Sequence, residues 1–370
     1  MKQYFAFLRF SLDTNAPLPE NLGQMDWCGL FRFAKEQALL GVMFEGIKKL
    51  PQGTITDFAL LSQWLMVANK IALMNERINT AAVHLTERLN ADGWRCCVLK
   101  GQGNNLYYPT PFSRTPGDID LWITKGDEPF MPTKEHRKQV MQYLKKTFQA
   151  SHTQIHHTEF TYEKVEVEAH FFPGMMNCPW HNRRLQRWFD EQAAEQAAHK
   201  VQLPKGAGAI FTPTLHFNLV YQLFHLFHHF FDEGIGLRQM VDYYELLLAA
   251  GPSQPVVTDE ELRRLGLRHF AGAVMWVLGE TLELSRGKML VAPDERRGRV
   301  LLEEILNGGN FGKYDKKYGG IAHKSPVGKL VAKVKRSLSF ASLYPAEALS
   351  VPLFRLWYFG WKQCNRGLDK

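Results

Sequence analysis

An α+β fold is what this sequence predicts: a small mixed β-sheet flanked by helices, with a large C-terminal helical region. Three observations lead there. Apolar residues recur at three- and four-residue spacing both before and after a central stretch, which is the period of an amphipathic helix. Inside that stretch, short runs alternate apolar and polar residues and are broken by Gly and Pro, which is the pattern of strands and turns. Composition agrees: 45% hydrophobic and 12% aromatic residues over 370 positions fit a packed chain and exclude general disorder.

Residues 25–91 read as helical, with Leu60, Leu61, Trp64, Leu65, Val67, Ala68 and Ile71 marking one face and Asp57 offering a start. Trp94–Leu99 follows Asp92-Gly93 as a short apolar run and suits a buried strand. Lys100-Gly101-Gln102-Gly103 breaks it, and Tyr108-Pro109-Thr110-Pro111 and Thr115-Pro116-Gly117 are loop chemistry. Asp118–Thr124 alternates cleanly as a second strand, and Pro132-Thr133 opens a helix to about residue 148. Residues 156–171 hold two alternating stretches joined at Glu163-Lys164, a hairpin. Strands are expected to stop after Pro173. Helices are expected over 181–199, 213–231, 236–250, 259–285 and 294–306, with amphipathic pieces to the end. The chain divides on this reading into a helical lead-in over 1–90, an α/β core over 91–175 and a helical domain over 176–370 with a basic C-terminal segment.

Several function classes fall away early. The five cysteines are scattered and make no Cys-x-x-Cys pair, so neither a disulfide scaffold nor a zinc ribbon is indicated. Cys96 and Cys97 read as packing within a strand. The start of the chain lacks the features of a signal peptide. The most apolar window, 211–231, carries four histidines together with Asn218 and Gln222, too polar for a membrane span. A soluble cytoplasmic protein is the expectation. The net charge is +8, and residues 324–370 hold nine basic residues against two acids. Such a segment attracts anions, nucleic acid among them, although a solvated helical face accounts for most basic tails. Leu330, Val331, Val334, Leu338 and Phe340 form an apolar stripe there, so the segment is expected to pack as helix against the body.

The chemistry concentrates on carboxylates. Alternation puts Asp118 and Asp120 on one face of a strand, because side chains two residues apart point the same way. Paired carboxylates repel unless a cation lies between them, and hard oxygen ligands suit Mg²⁺. A second pair, Glu166 and Glu168, sits on the strand at 165–171, and Glu168 completes a three-carboxylate cluster if the two strands are neighbours. The acid–apolar–acid triplet occurs twice, which is about the chance expectation, so the weight rests on both copies falling on strands of one short α/β segment.

Leu99-Lys100-Gly101, Tyr108-Pro109, Arg114 and Gly117-Asp118-Ile119-Asp120-Leu121 resemble the uncharacterised bacterial nucleotidyltransferase family of the DNA polymerase β-like superfamily. The resemblance continues at Val167-Glu168-Ala169-His170, at His228 and at Gly236–Asp242, so that it covers roughly residues 60–250. It implies transfer of a nucleoside monophosphate from a nucleoside triphosphate to a hydroxyl acceptor, with two Mg²⁺ ions held by Asp118, Asp120 and Glu168. It further implies that backbone amides at Gly101 and Gln102 cradle phosphates, that Lys100 and Arg114 neutralise them, and that His170, His228 and Arg238 lie near the cleft. The superfamily has Gly-Ser at the end of its first strand; here Gln102 follows Gly101. A non-catalytic module that binds nucleotide or a partner on the same fold is the alternative.

Other features read more simply. His225, His228 and His229 have zinc-compatible spacing on a Phe- and Leu-rich helix and fit a packed face better than a metal site. Arg238 and Asp242 stand four apart and are expected to pair along their helix. The aromatics of 354–361 interleave with Arg355 and suit a packed final helix.

Overall fold

The helix-period pattern of the first ninety residues becomes four helices: α1 (Lys2–Leu12), α2 (Trp27–Glu36), α3 (Leu40–Lys48) and α4 (Phe58–Ala91). The expected continuous helical stretch over 25–91 is thus divided. Ala38 takes a positive φ between α2 and α3, and Pro51 with Gly53 at φ +81° breaks the chain before α4. Asp57 caps α4 by accepting the Leu60 amide. The computed structural model describes residues 1–125, 134–151, 153–251, 257–315 and 326–364. The expected helix start at Pro132-Thr133 lies outside them.

Four strands make the central sheet: β1 (Trp94–Val98), then, after the short helix α5 (Gln102–Asn105), β2 (Ile119–Lys125), and, after α6 (Lys134–Phe148), β3 (His157–Tyr162) and β4 (Val165–His170). Their spatial order is β1-β2-β4-β3. β1 runs antiparallel to β2, β2 parallel to β4, and β3 antiparallel to β4, so the sheet is mixed. Tyr162 pairs with Val165 across Glu163 and Lys164, both at positive φ, which is the two-residue turn whose twist matches a hairpin. One face of the sheet buries Ile119, Leu121, Ile123, Val165, Val167 and Ala169 against α4 and α6. The other face carries Asp120, Trp122, Glu168 and His170, and Trp122 stacks on Phe217 at 6.0 Å between ring centres. Strand alternation therefore sends the polar pairs toward the helical half of the molecule.

That half comprises α7 (Pro179–Gln196), the hairpin β5 (Lys200–Leu203) and β6 (Gly208–Phe211), and helices α8 (Leu215–Asp232), α9 (Leu237–Ala249), α10 (Asp259–Arg264), α11 (Arg268–Leu282), α12 (Glu295–Gly308), α13 (Pro326–Ser339) and α14 (Pro345–Cys364). The hairpin corrects the expectation that strands end after Pro173. Its signal is present in Lys200-Val201-Gln202-Leu203, an alternating run closed by a Pro- and Gly-containing turn. The expected helix over 259–285 is two helices, parted at Gly266 with φ +75°. Helices α1 to α3 share one hydrophobic core with α8, α9 and α11, so the N-terminal helices pack on the helical half.

The basic C-terminal segment does pack, through α13 against α8, but not by the stripe the sequence suggested. Leu330, Val331 and Leu338 are exposed, while Ala332, Arg336, Ser337 and Phe340 are buried. The reason is Arg336: its guanidinium reaches Glu304 at 2.8 Å, Asp315 at 3.3 Å and the Phe230 carbonyl at 3.0 Å, and these bonds turn the helix. Lys333 and Arg355 both pair with the half-buried Asp232. Among the described residues no helix is long and apolar enough to cross a membrane.

Candidate functional site

The site begins where β1 ends. The Leu99 amide donates to the Asp120 carbonyl at 2.9 Å, which brings Lys100 over the neighbouring strand. Gly101 then takes φ +60°, ψ −107°, a conformation open to glycine and strained for other residues. Among the described residues, the amides of Gly101 and Gln102 meet no backbone acceptor. The Gln102 side chain turns away, donating to the Asn75 carbonyl and to the Asn79 side chain on α4. It anchors the turn from behind.

Asp120 and Glu168 are direct partners across the parallel β2–β4 pair and share a face. Asp120 is almost fully buried and its Oδ1 accepts from Lys100 Nζ at 2.9 Å and from His170 Nε2 at 3.1 Å. The same His170 nitrogen lies 3.5 Å from Glu168 Oε2. Burial alone would raise the Asp120 carboxyl, but Lys100 and His170 outweigh it and hold it well below the usual range. Glu168 follows the same logic: burial opposes its charge, and His170 and His157 bring its pKa down. Asp118, half-buried just before β2, feels Lys100 too, but more weakly than it feels burial and Asp120. Burial first, and then the Asp120 charge, push it up to about 7. Lys100 also donates to His225 Nε2 at 3.3 Å, and burial with that ammonium keeps His225 neutral.

A cavity of about 360 Å³ opens between the sheet and the helices. Lys100, Gly101, Arg114, Asp118, Asp120 and Arg238 all line it. Glu168 faces an adjoining depression of about 420 Å³, with Asp118 on the shared rim. Two expected placements change. His228 lies beside Asp232 instead, and burial brings its pKa down to about 4; His225, one turn earlier, lines the cavity. Arg238 does not pair with Asp242. Arg114 takes that carboxylate with a fork, Nε to Oδ1 at 2.6 Å and Nη2 to Oδ2 at 2.8 Å, and Tyr108 adds its hydroxyl at 2.6 Å. Arg238 is left donating to the Thr115 carbonyl at 3.3 Å, with its Nε buried and without a partner.

Two contributors come from distant segments. Lys35 closes one wall from α2, and Lys313 another from the loop after α12. With Arg238 they are cations that have no ion-pair partner among the described residues, in a cavity whose other charges are largely matched. Nothing local in the sequence marks Lys35 or Lys313, since each reaches the cavity only through tertiary packing. The histidines 225, 228 and 229 form no metal-ligating set among the described residues; His229 pairs with Glu233 at 2.7 Å.

A family model described as an uncharacterised nucleotidyltransferase matches residues 23–283, well over half of the chain. No curated protein matches. Among solved structures, an antigenic nucleotidyltransferase-like protein from Paracoccidioides brasiliensis is similar at 14% identity, with a TM-score of 0.39 over 60% of this chain and 97% of its own.

Proposed function

The chain belongs to the uncharacterised nucleotidyltransferase family, and from that premise we propose that it moves a nucleoside monophosphate from a magnesium-bound nucleoside triphosphate to a hydroxyl acceptor, as a member of the DNA polymerase β-like superfamily. One observation carries the reading: Asp120 and Glu168 are register partners on neighbouring strands, with Asp118 two residues before Asp120. The donor set fits magnesium. Three carboxylates offer hard oxygens, and Asp118 is raised by burial and then by repulsion from Asp120 and Glu168, a repulsion that a cation would relieve. Asp118, Asp120 and Glu168 would hold the metal. Magnesium, when bound, neutralises charge on the transferring phosphoryl group and orients it.

The remaining residues serve binding and orientation. Lys100 and His170 keep Asp120 ionised and fix its Oδ1. The Gly101 turn presents backbone amides to the cavity, and Lys35, Arg238 and Lys313 supply positive charge for phosphate oxygens. Arg114 acts at one remove: by binding Asp242 it ties the 108–116 loop, which precedes Asp118, to α9. A small-molecule or protein hydroxyl is favoured over nucleic acid as acceptor. Lys333, Arg336 and Arg355 of the basic segment are taken up by Asp232, Glu304 and Asp315 and are withdrawn from phosphate contact.

The test is pyrophosphate release from a panel of NTPs with Mg²⁺, with candidate acceptors that include the protein itself. Metal-dependent release that disappears in Asp118→Asn supports the assignment. A wild-type protein that binds neither Mg²⁺ nor any NTP overturns it and leaves the non-catalytic module.

A further inference from the structure

Beside the carboxylates lies a cluster of three histidines, of which the transfer reading uses only His170. His156, His157 and His170 each place a ring nitrogen within 4.8 Å of the others. His157 Nδ1 is 2.9 Å from His156 Nε2 and 3.7 Å from Glu168 Oε2, while His170 Nε2 is 3.5 Å from the same Glu168 oxygen. A tetrahedral zinc ion with bonds of about 2.0–2.1 Å sets its ligand atoms about 3.4 Å apart. The 2.9 Å between His156 and His157, with His170 within 4.8 Å of both, leaves room for that edge. We infer that His156, His157 and His170 form a binding site for a divalent transition cation of the zinc class, adjoining the carboxylates Asp118, Asp120 and Glu168.

Two further observations point to a ligand. His157 Nε2 lies 3.3 Å from Glu159 Oε1. A carboxylate accepting from one imidazole nitrogen fixes the tautomer and leaves the other lone pair free, which is the outer-shell arrangement that zinc-binding histidines use. Among the described residues, His156 Nδ1 and His170 Nδ1 are buried with no hydrogen-bond partner. Buried polar atoms are rarely left so, and because His170 Nε2 already donates to Asp120, its Nδ1 is the nitrogen left for a metal. Local sequence explains the convergence. His157 and His170 are direct partners across the β3–β4 pair, and the Phe171 amide donates to the His156 carbonyl at 2.8 Å. The hairpin therefore stacks the three rings at its open end, with ring centres 4.4 to 5.6 Å apart.

Imidazole nitrogens are what separate this site from the magnesium site. Nitrogen donors favour zinc and its transition-metal neighbours, whereas magnesium keeps to oxygen. His170 also holds Asp120, but occupancy of the histidine site does not depend on nucleotidyl transfer.

The full-length protein, stripped with chelator and titrated with Zn²⁺, should bind one equivalent retained through gel filtration. Co²⁺ in its place should give the visible absorption of a nitrogen-rich tetrahedral site. His156→Ala and His157→Ala should each abolish retention. Glu159→Gln should weaken it by about 10- to 100-fold while leaving the fold intact. Asp118→Asn, which removes a carboxylate of the magnesium set alone, should keep the zinc and lose transfer, so failure of one assignment is visible apart from failure of the other. Wild-type protein that retains no Zn²⁺ and shows no Co²⁺ spectrum overturns the inference. So does undiminished binding in His157→Ala, or in His157→Gln should the alanine variant not fold.

Discussion

Asp120 on β2 faces Glu168 on β4 in parallel register, and His170 Nε2 stands between them, 3.1 Å from one carboxylate and 3.5 Å from the other. The imidazole, with Lys100, supplies the positive charge that lets two acids lie side by side in a buried position. Asp118 lies outside that arrangement, and Lys100 offsets only part of the burial and repulsion it bears.

The two aspartates should accordingly part company when each is changed to asparagine. Both changes remove a metal-ligating charge, and both should slow pyrophosphate release at least roughly a hundredfold, since metal stabilisation is worth several kcal/mol. Stability should move in opposite directions. Asp118→Asn relieves repulsion, and the metal-free protein should melt at a higher temperature above neutral pH. Asp120→Asn leaves the Lys100 ammonium buried without its carboxylate and should cost on the order of 3 kcal/mol. Thermal melts in chelator at pH 8 check the pair; equal shifts of the same sign would refute the assignment of Lys100 to Asp120.

Gly101 sits at φ +60°, ψ −107° with room for a methyl group, since the nearest atom to an added Cβ is the Asp118 carbonyl at 3.6 Å. Gly101→Ala should therefore act by strain and not by collision. A loss of roughly 1–3 kcal/mol is expected, together with weaker NTP binding as the turn shifts to relieve it. Urea unfolding and nucleotide titration on one preparation read both effects.

Glu245 supplies the pH dependence. It is 5% exposed on α9, it has no ion pair or hydrogen bond among the described residues, and burial followed by repulsion from Asp242 raises its pKa from 4.5 to about 8. Tyr108 stands on its inner side, and Tyr244, Asp13 and the Arg9–Glu283 pair share the adjoining cavity. The native state keeps the proton that the unfolded chain releases above pH 4.5, so Glu245 subtracts stability progressively between about pH 4.5 and 8. Glu245→Gln should match wild type at pH 4 and exceed it at pH 8. Denaturant midpoints at the two values decide this, and an equal gain at both would show that the carboxyl is not the cause.

Much of the site was legible because its residues lie on strands, where alternation assigns a face to every side chain. The shared face of Asp120 and Glu168 follows from period two once β2 and β4 pair, and the turn at Glu163-Lys164 from two alternating runs, whereas Asp118 stands just before β2. Spacing fails where a partner comes from elsewhere in the chain. Asp242 is four residues from Arg238, yet it is bound by Arg114, because a buried two-point fork with Tyr108 alongside surpasses a single contact along a helix. The apolar stripe of α13 misled for a related reason: Arg336 finds two carboxylates and a carbonyl, and those bonds orient the helix against the pull of Leu330 and Val331. His156 and His157 carry no marker in sequence beyond adjacency. Their relation to His170 comes from the hairpin register, which a turn at Glu163-Lys164 already determines.

The Arg114–Asp242 pair gives the last prediction. Both side chains are buried, and the fork joins the loop before Asp118 to a helix more than a hundred residues later. Burial disfavours each charge alone, and each is kept ionised by the other: Asp242 lies below the usual carboxylate range, and Arg114 above its own ordinary value. Arg114→Ala strands a buried carboxylate with the Tyr108 hydroxyl and the more distant Arg238 charge, which should destabilise the protein by roughly 3–5 kcal/mol. Arg114→Lys keeps the charge but replaces a planar fork with a single point donor and should fall between wild type and alanine. Removing the stranded charge should recover part of the loss, so Arg114→Ala/Asp242→Ala should be less destabilised than the sum of its single variants, a coupling that a double-mutant cycle in urea measures directly. Transfer should decline with the tilt of the loop that carries Asp118, as a fall in kcat larger than any rise in KM for the nucleotide. An Arg114→Ala protein of wild-type stability with selectively weakened NTP binding would place this arginine on the phosphates and not on Asp242.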